Sequence, residues 1–374
     1  MKRLLLIIVF ISFFLCGCSL KSDNREVIRF STWGSASEMS ILRPIISDFE
    51  TKNPDIKVEI LHIPQDYFQK LHLLFASKTE PDVMLINNHN IPVYSKFLLD
   101  LSDKIDKKSY FDKSLSAVTY DNKVLAAPRD CSGLVVYYNI DAFKRKKFSL
   151  PTSNWTVEQM VAIAQKLTDK DCFGISYEPS VYYAHPFINY YDGGLFRLIN
   201  GELCFVGDTY QSRVGLFVYK DLAYHLKCAP TPSQVGSKTL AQMFIEGKIA
   251  MHISGRWLVP KYRDALKFNW DVVNFPEYSA PSDASGWAIS ARSKHKESAL
   301  RFVKFLSSKD NIEKFTQSGL IVPARKDVAY SDSFLKGKPN PKVFIQSVEK
   351  SPVTVVCPEY NKEVERLNEV YFNE

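Results

Sequence analysis

The sequence predicts an α/β protein of two lobes. Three observations predict it. Residues 27–86 alternate strand, helix, strand, helix, strand. A second series of strands and helices begins near Pro128. The 374 residues are enough for two or three domains of about 150 residues each.

Val27 to Thr32 is the first strand. Leu42, Ile45, Ile46 and Phe49 recur at i, i+3, i+4, i+7, the spacing of one helix face, and Asn53-Pro54 stops that helix. Ile56, Val58 and Ile60 alternate as a strand does. Phe68, Leu71, Leu74 and Phe75 form another helical face. Asp82 to Ile86 is a strand whose unbroken apolar run, Val83 to Ile86, is of the kind buried in parallel sheets.

Beyond Pro128, Leu134 to Tyr138 is a strand, and Thr156-Val157-Glu158-Gln159 is a capping box opening a helix with Met160, Ile163, Ala164 and Leu167 inward. Phe173 to Ser176 is a short strand and residues 209–225 a helix. Leu240, Met243 and Phe244 form a helix face closed by Gly247 as C′ glycine. Strands follow at Ile249–Ile253, Trp270–Phe275 and Ala288–Ser290. Pro276 to Ser285 is a Pro/Ser-rich linker. Helices at 296–306 and Tyr360–Tyr371 complete the chain. Trp155, at a helix start, and Trp270, mid-strand, belong to the core.

The N-terminus is an address. Lys2 and Arg3 precede the apolar run Leu4 to Leu15, which is too short to span a bilayer, for which about 20 residues are needed, and fits a secretory signal. The run ends Leu15-Cys16-Gly17-Cys18, which resembles the lipobox of bacterial lipoproteins. That resemblance implies a signal peptide 1–17, cleavage before Cys18, lipidation of its thiol, and a polar tether 18–26. More than one acyl chain gives stable anchoring. Losing Lys2 and Arg3 lowers the formal net charge from +7 to +5. The basic excess is spread along the chain, so no nucleic-acid partner is expected. Of the remaining cysteines (Cys131, Cys172, Cys204, Cys228, Cys357) at least one stays free. Bridges Cys172–Cys204 or Cys204–Cys228 are open alternatives.

Catalytic signatures are missing. There is no GxSxG, HExxH, GxxxxGK[ST] or GxGxxG, and no Cys/His cluster suggests zinc. No cofactor or metal is expected, and the chain reads as a non-enzyme.

Eight phrases, in order, resemble one family: the extracellular solute-binding proteins of bacterial ABC sugar importers, family 1, maltose-binding-protein-like. They are Val27 to Gly34, Phe49 to Val58, Pro81-Asp82-Val83, Tyr137 to Phe143, Asn154-Trp155-Thr156, Phe244 to Met251 with Gly255 and Trp257, Ser285 to Ile289, and Val322 to Lys326. The resemblance covers residues 27–330. It implies a two-lobed periplasmic-binding-protein fold, each lobe a mixed sheet flanked by helices, with ligand in the cleft between them. The lobes are 27–128 with 285–322, and 134–276 with 328–374. It further implies a monomeric receptor at the cell membrane that passes a carbohydrate to permease subunits. The family continues past its final matching segment into a helix bracing the lobes. This sequence stops at Glu374, which predicts a less stable second lobe and impaired transport.

A sugar's C–H face packs on aromatic rings while amides, carboxylates and guanidinium groups take its hydroxyls. Candidates sit at strand ends that open on the cleft. They are Trp33 after the first strand, Asn87, Asn88 and His89 after the third, and Asp130 and Ser132 in the first crossing. Arg256 and Trp257 follow strand 249–253, and Trp287 follows the second crossing. Tyr182 and Tyr183, read as extended, point opposite ways, so at most one faces the cleft. Trp257 and Trp287 are expected as stacking platforms on opposing lobes. Two alternatives stay open. One is an anionic solute such as a phosphorylated polyol, held by Arg129 and Arg256. The other is a surface glycan hydrolase using two cleft carboxylates.

Overall fold

The computed structural model describes residues 24–373. The signal peptide and Cys18 lie outside the described residues. Strands β1 (Glu26–Thr32), β2 (Ile56–His62) and β3 (Val83–Asn87) are parallel neighbours in the order β3-β1-β2. The helix Ala36–Lys52 between β1 and β2 is capped by Ser35, whose side chain accepts from the Glu38 N–H, and it buries Met39, Leu42, Ile45, Ile46 and Phe49. Val83 to Ile86 are fully buried, as their unbroken apolar run requires.

A small hairpin, β4 (Thr119–Tyr120) with β5 (Lys123–Val124), leads to β6 (Ala127–Ser132). Next come β7 (Val135–Asn139), where Asn139 caps the following helix, and the Thr156–Gln159 capping box, both hydrogen bonds of which form. After β8 (Phe173–Ile175), residues Val181–Tyr190 form a helix rather than an extended segment. Residues 196–205 form a second hairpin, β9 (Phe196–Ile199) with β10 (Glu202–Phe205), which the residue pattern did not predict. Then come β11 (Ile249–Ser254), β12 (Trp270–Val273), β13 (Asp283–Ile289) and β14 (Val322–Pro323). Strand β13 takes in Asp283 to Ser285, which composition had placed in the linker.

The larger sheet runs β14-β6-β13-β3-β1-β2 and the smaller β12-β7-β11-β8. Each contains parallel and antiparallel pairs. One core lies under each sheet. A third joins Tyr110, Cys131 and Val322 from the first sheet's side to Tyr137, Phe244 and Tyr262 from the second's. Trp155 and Trp270 are buried, and Trp155 Nε1 donates to the Asn274 carbonyl at 3.0 Å. All five described cysteines are free thiols. No described helix is long and apolar enough to cross a membrane.

The helix Tyr360–Phe372 bridges the two halves. The Asn361 side chain donates to Asn90 Oδ1 at 3.1 Å, beside the end of β3, while Asn368 Oδ1 accepts from the Val181 N–H at 2.8 Å. Phe372 packs against Tyr177 and Tyr219 in the second core. The final described helix thus supplies an inter-lobe brace itself.

Candidate functional site

The site is built on a β-bulge. Along β6, Asp130 pairs with Ser285, but the next β13 residue, Gly286, pairs with Pro128, so Arg129 is the extra residue. In a regular strand Arg129 and Asp130 point to opposite faces; a bulge re-aims one of them. Here Arg129 Nε bonds Asp130 Oδ2, its own neighbour, while Nη1 bonds Glu38 Oε1. Pro128 is tolerated because a bulge spares its missing N–H. Gly286 is required because a Cβ there would sit 2.5 Å from the Ala127 carbonyl oxygen.

Glu38 reaches Arg129 because it abandons a local role. Ser35-Ala36-Ser37-Glu38 has capping-box spacing, and Ser35 does accept from the Glu38 N–H, yet the Glu38 carboxylate turns to Arg129. Gly34, at φ +122°, lets it pass: a Cβ would lie 2.5 Å from a Glu38 carboxylate oxygen. All three charges are buried. Burial pushes the Asp130 carboxyl above its ordinary range, opposed by the Arg129 charge. Burial works against the Arg129 guanidinium too, but Asp130 and Glu38 more than offset it and keep it charged.

This triad lines a cavity of about 430 Å³ together with Trp33, Ser132, Ser285, Arg256 and Trp257. Trp33 stands edge-on to Tyr67, ring centroids 5.0 Å apart, and leans on Phe68. Trp257 is 38% exposed. Its ring folds back over Gly255, where a Cβ would meet it at 1.8 Å. Arg256 is sandwiched between Phe334 and Phe344, 4.4 and 4.8 Å from their centroids, and Nε donates to the Ile321 carbonyl at 2.9 Å. Its Nη1 has no hydrogen-bond partner, and burial pulls its pKa down to about 10.

Asn87 flanks Ser285 on β3 as Asp130 does on β6, so these three polar residues lie side by side across the sheet. The next residues turn to a different centre. Asn88 is fully buried and donates to Asp283 Oδ1 at 2.8 Å, and His89 Nε2 lies 3.0 Å from Asp283 Oδ2 but off the hydrogen-bonding direction. Burial opposes the Asp283 charge, yet the facing His89, Thr354 and Asn88 hold its pKa at about 2. Tyr360 lies over the His89 ring at 4.9 Å.

Three expectations are corrected by the geometry. Trp287 is 1% exposed, flanked by Leu85 and Ala127 in the sheet and packed near Phe315, so it is core and no stacking surface. Asn88 spends its amide on Asp283 and offers no free face. Tyr182 and Tyr183 are helical, so they project about 100° apart instead of oppositely, and both rings pack on the second core. The cavity therefore gathers Trp33, Asp130, Ser132, Arg256 and Trp257 from the expected set. It adds Glu38 and Ser285, which the sequence reading missed.

Two buried histidines make stability pH-dependent. Burial lowers His185 to about 4 and His252 to about 3. The folded state then holds both neutral where the unfolded chain protonates them, so stability falls as pH drops from about 6.5 towards 4. With both contributing, the slope approaches roughly 2.7 kcal/mol per pH unit. Urea midpoints at pH 7.5 and 4.5 check this, and a His185→Gln, His252→Gln variant should lose at least half of the slope.

The sequence model of the family described as bacterial extracellular solute-binding protein matches residues 45–342. The chain belongs to this family. It is 26% identical over 373 residues to a galactooligosaccharide-binding protein of Bacillus subtilis, covering 93% of this chain and 85% of that one. It is also 26% identical to the maltodextrin-binding protein MdxE of the same organism, over 84% of this chain and 78% of the other. Among solved structures, the ABC substrate-binding protein Lmo0181 from Listeria monocytogenes, in complex with cycloalternan, superposes with a TM-score of 0.84. That pair is 25% identical and covers 93% of this chain and 92% of the other. This solute-binding protein thus has the two-lobed fold of its relatives, and the cavity lies where strands of both sheets end.

Proposed function

We propose that this solute-binding protein is a lipid-anchored receptor that captures an oligosaccharide between its lobes and delivers it to an ABC permease. The lobes are 27–128 with 285–322, and 134–276 with 328–374, acting as a monomer anchored through Cys18 at the cell membrane. The observation that carries this reading is the cavity itself. An exposed indole, Trp257, and a half-buried one, Trp33, flank two carboxylates held rigid by one guanidinium. Aromatic faces suit sugar rings, and fixed carboxylates accept from hydroxyls. The relatives bind galactooligosaccharide, maltodextrin and cycloalternan by their names, which supports the same ligand class here.

A neutral ligand is favoured over a phosphorylated one because the charged groups lining the cavity balance: Glu38 and Asp130 offset Arg129 and Arg256, and Arg129 is tied to both carboxylates. Catalysis is disfavoured for a related reason. A glycosidase needs one carboxyl protonated and one free, and here both are tied to the same guanidinium. Incubation with galacto- and gluco-oligosaccharides tests the reading. At a hundredfold excess over Kd, binding adds about 2.7 kcal/mol, a rise of several degrees in Tm, with no product released. Product in stoichiometric excess over protein, or no Tm response to any oligosaccharide, overturns it. Radiolabelled fatty acid should label the native chain and spare Cys18→Ala.

A further inference from the structure

The pole of the larger sheet opposite the cleft carries a basic cavity that the capture of solute does not use. Strands β1 and β3 are parallel, and the carboxyl end of β1 presents Trp33 to the site while that of β3 sets Asn87 beside Ser285. Their amino ends, together with the far end of antiparallel β13, enclose a second cavity of about 430 Å³. Its basic residues are Arg29, Lys78, Arg292 and Lys294; its acids are Glu80 and Asp82. The acids are engaged internally. Glu80 Oε1 pairs with Arg292 Nε at 2.6 Å, and Asp82 accepts from the Arg29 N–H at 2.9 Å and the Ser293 hydroxyl at 2.5 Å. Nearby His295 is taken by Glu26 at 2.5 Å. Lys78 and Lys294 are exposed and form no ion pair among the described residues, so the cavity keeps a net positive face.

The chain leaves the fold at this same pole. Glu26 begins β1 one residue before Val27, which lines the cavity. From Cys18 to Glu26 is eight residues, which reach at most about 29 Å when fully extended. Resting on the anchored-receptor reading above, we propose that this pole is a membrane-apposed surface that binds anionic phospholipid headgroups. The acyl anchor confines the protein to the bilayer, and Arg29, Lys78 and Lys294 then choose which side faces it. The cleft opens on the opposite pole, away from the lipid and toward incoming solute. Delivery to a permease then requires release from this resting orientation, and a lipid surface gives the weak, reversible contact that permits it.

The test uses the mature chain from residue 18 carrying Cys18→Ala, without the apolar segment 1–17 and purified without lipid, so that binding owes nothing to the anchor. Sedimentation with vesicles of phosphatidylglycerol and phosphatidylcholine should exceed sedimentation with phosphatidylcholine alone and vanish at high salt. Lys78→Gln with Lys294→Gln should weaken it about twenty-fivefold, at about fivefold per basic residue near an anionic surface. The exposed second-lobe pair Lys227→Gln with Lys267→Gln should change it less than twofold. Equal losses from both pairs reduce the effect to net charge and overturn the proposal, as does indifference to lipid charge. Stabilisation by inorganic phosphate without vesicle binding identifies a free-anion pocket and also overturns it. Fatty-acid labelling of native Cys18 reads the anchor separately, so failure of either idea is recognisable.

Discussion

Trp287→Ala is expected to lower stability by roughly 3–5 kcal/mol, the cost of emptying a large aromatic site in a packed core. In a chain of this size that is a fall of roughly 5–15 °C in Tm. Oligosaccharide affinity per folded molecule should stay unchanged, because Trp287 touches Leu85, Ala127 and Phe315 strands and helices, not the cavity. Trp257→Ala should do the reverse. It is 38% exposed, so its removal leaves Tm within about a degree or two, but the lost stacking face costs roughly 1.5–3 kcal/mol of binding. That is about a tenfold to hundredfold weaker Kd. Calorimetric Tm of the free protein and titration calorimetry on each variant separate the two roles. Intrinsic fluorescence gives a second reading: ligand should shift the emission of Trp257, and Trp257→Ala should lose most of that response. An early-melting, normally binding Trp257→Ala protein contradicts the placement of the site.

These two residues also show what a sequence discloses. Both follow glycine-bearing phrases of the solute-binding family, and both are tryptophans near a strand end, so pattern alone treats them alike. What distinguishes them is register. Trp287 lies inside β13 with partners on both sides, whereas Trp257 follows the last residue of β11. The strands and helices themselves were legible wherever one physical signal dominated: the apolar run Val83–Ile86, the Thr156–Gln159 capping box, the left-handed Gly247 at φ +71°. Legibility failed where signals competed. Val181–Tyr190 carries Pro186 and a Tyr-Tyr pair, which lower helix propensity, yet burial of Ala184, Phe187 and Ile188 on the second core overrides it. Glu38 was hidden because its partner Arg129 lies 91 residues away, and no local pattern joins them. The bulge at Arg129 was hidden because nothing in Ala127 to Ser132 says that two neighbours share a face; only the partner strand's Gly286 decides it.

Arg129→Met should be the most damaging change within the cavity. It leaves Glu38 and Asp130 buried without their counter-charge, and breaking a buried ion pair from one side costs about 3–5 kcal/mol. The pH dependence carries a definite sign. Burial already pushes the Asp130 carboxyl upward, and without Arg129 its main opposition is gone, leaving only the hydrogen bond from the Ser285 backbone. The folded variant then binds a proton more tightly than the unfolded chain, so its penalty is full at neutral pH and shrinks as pH falls toward the unfolded value near 4. Urea denaturation of wild type and variant at pH 7.5 and 5 should show the gap narrowing at the lower pH. Neutralising all three groups, with Glu38→Gln, Asp130→Asn and Arg129→Met together, removes the unpaired charges and should recover most of the lost stability, because a buried ion network contributes little net folding energy once its desolvation is counted. Sugar affinity should not recover with it. Each charge-assisted hydrogen bond to a ligand hydroxyl is worth roughly 1.5–3 kcal/mol, and the triple variant loses both carboxylates that could make one, keeping only Arg256. A triple variant that is stable yet binds poorly assigns the triad to recognition; one that is stable and binds as wild type does would make it a structural tie and move the ligand elsewhere in the cleft.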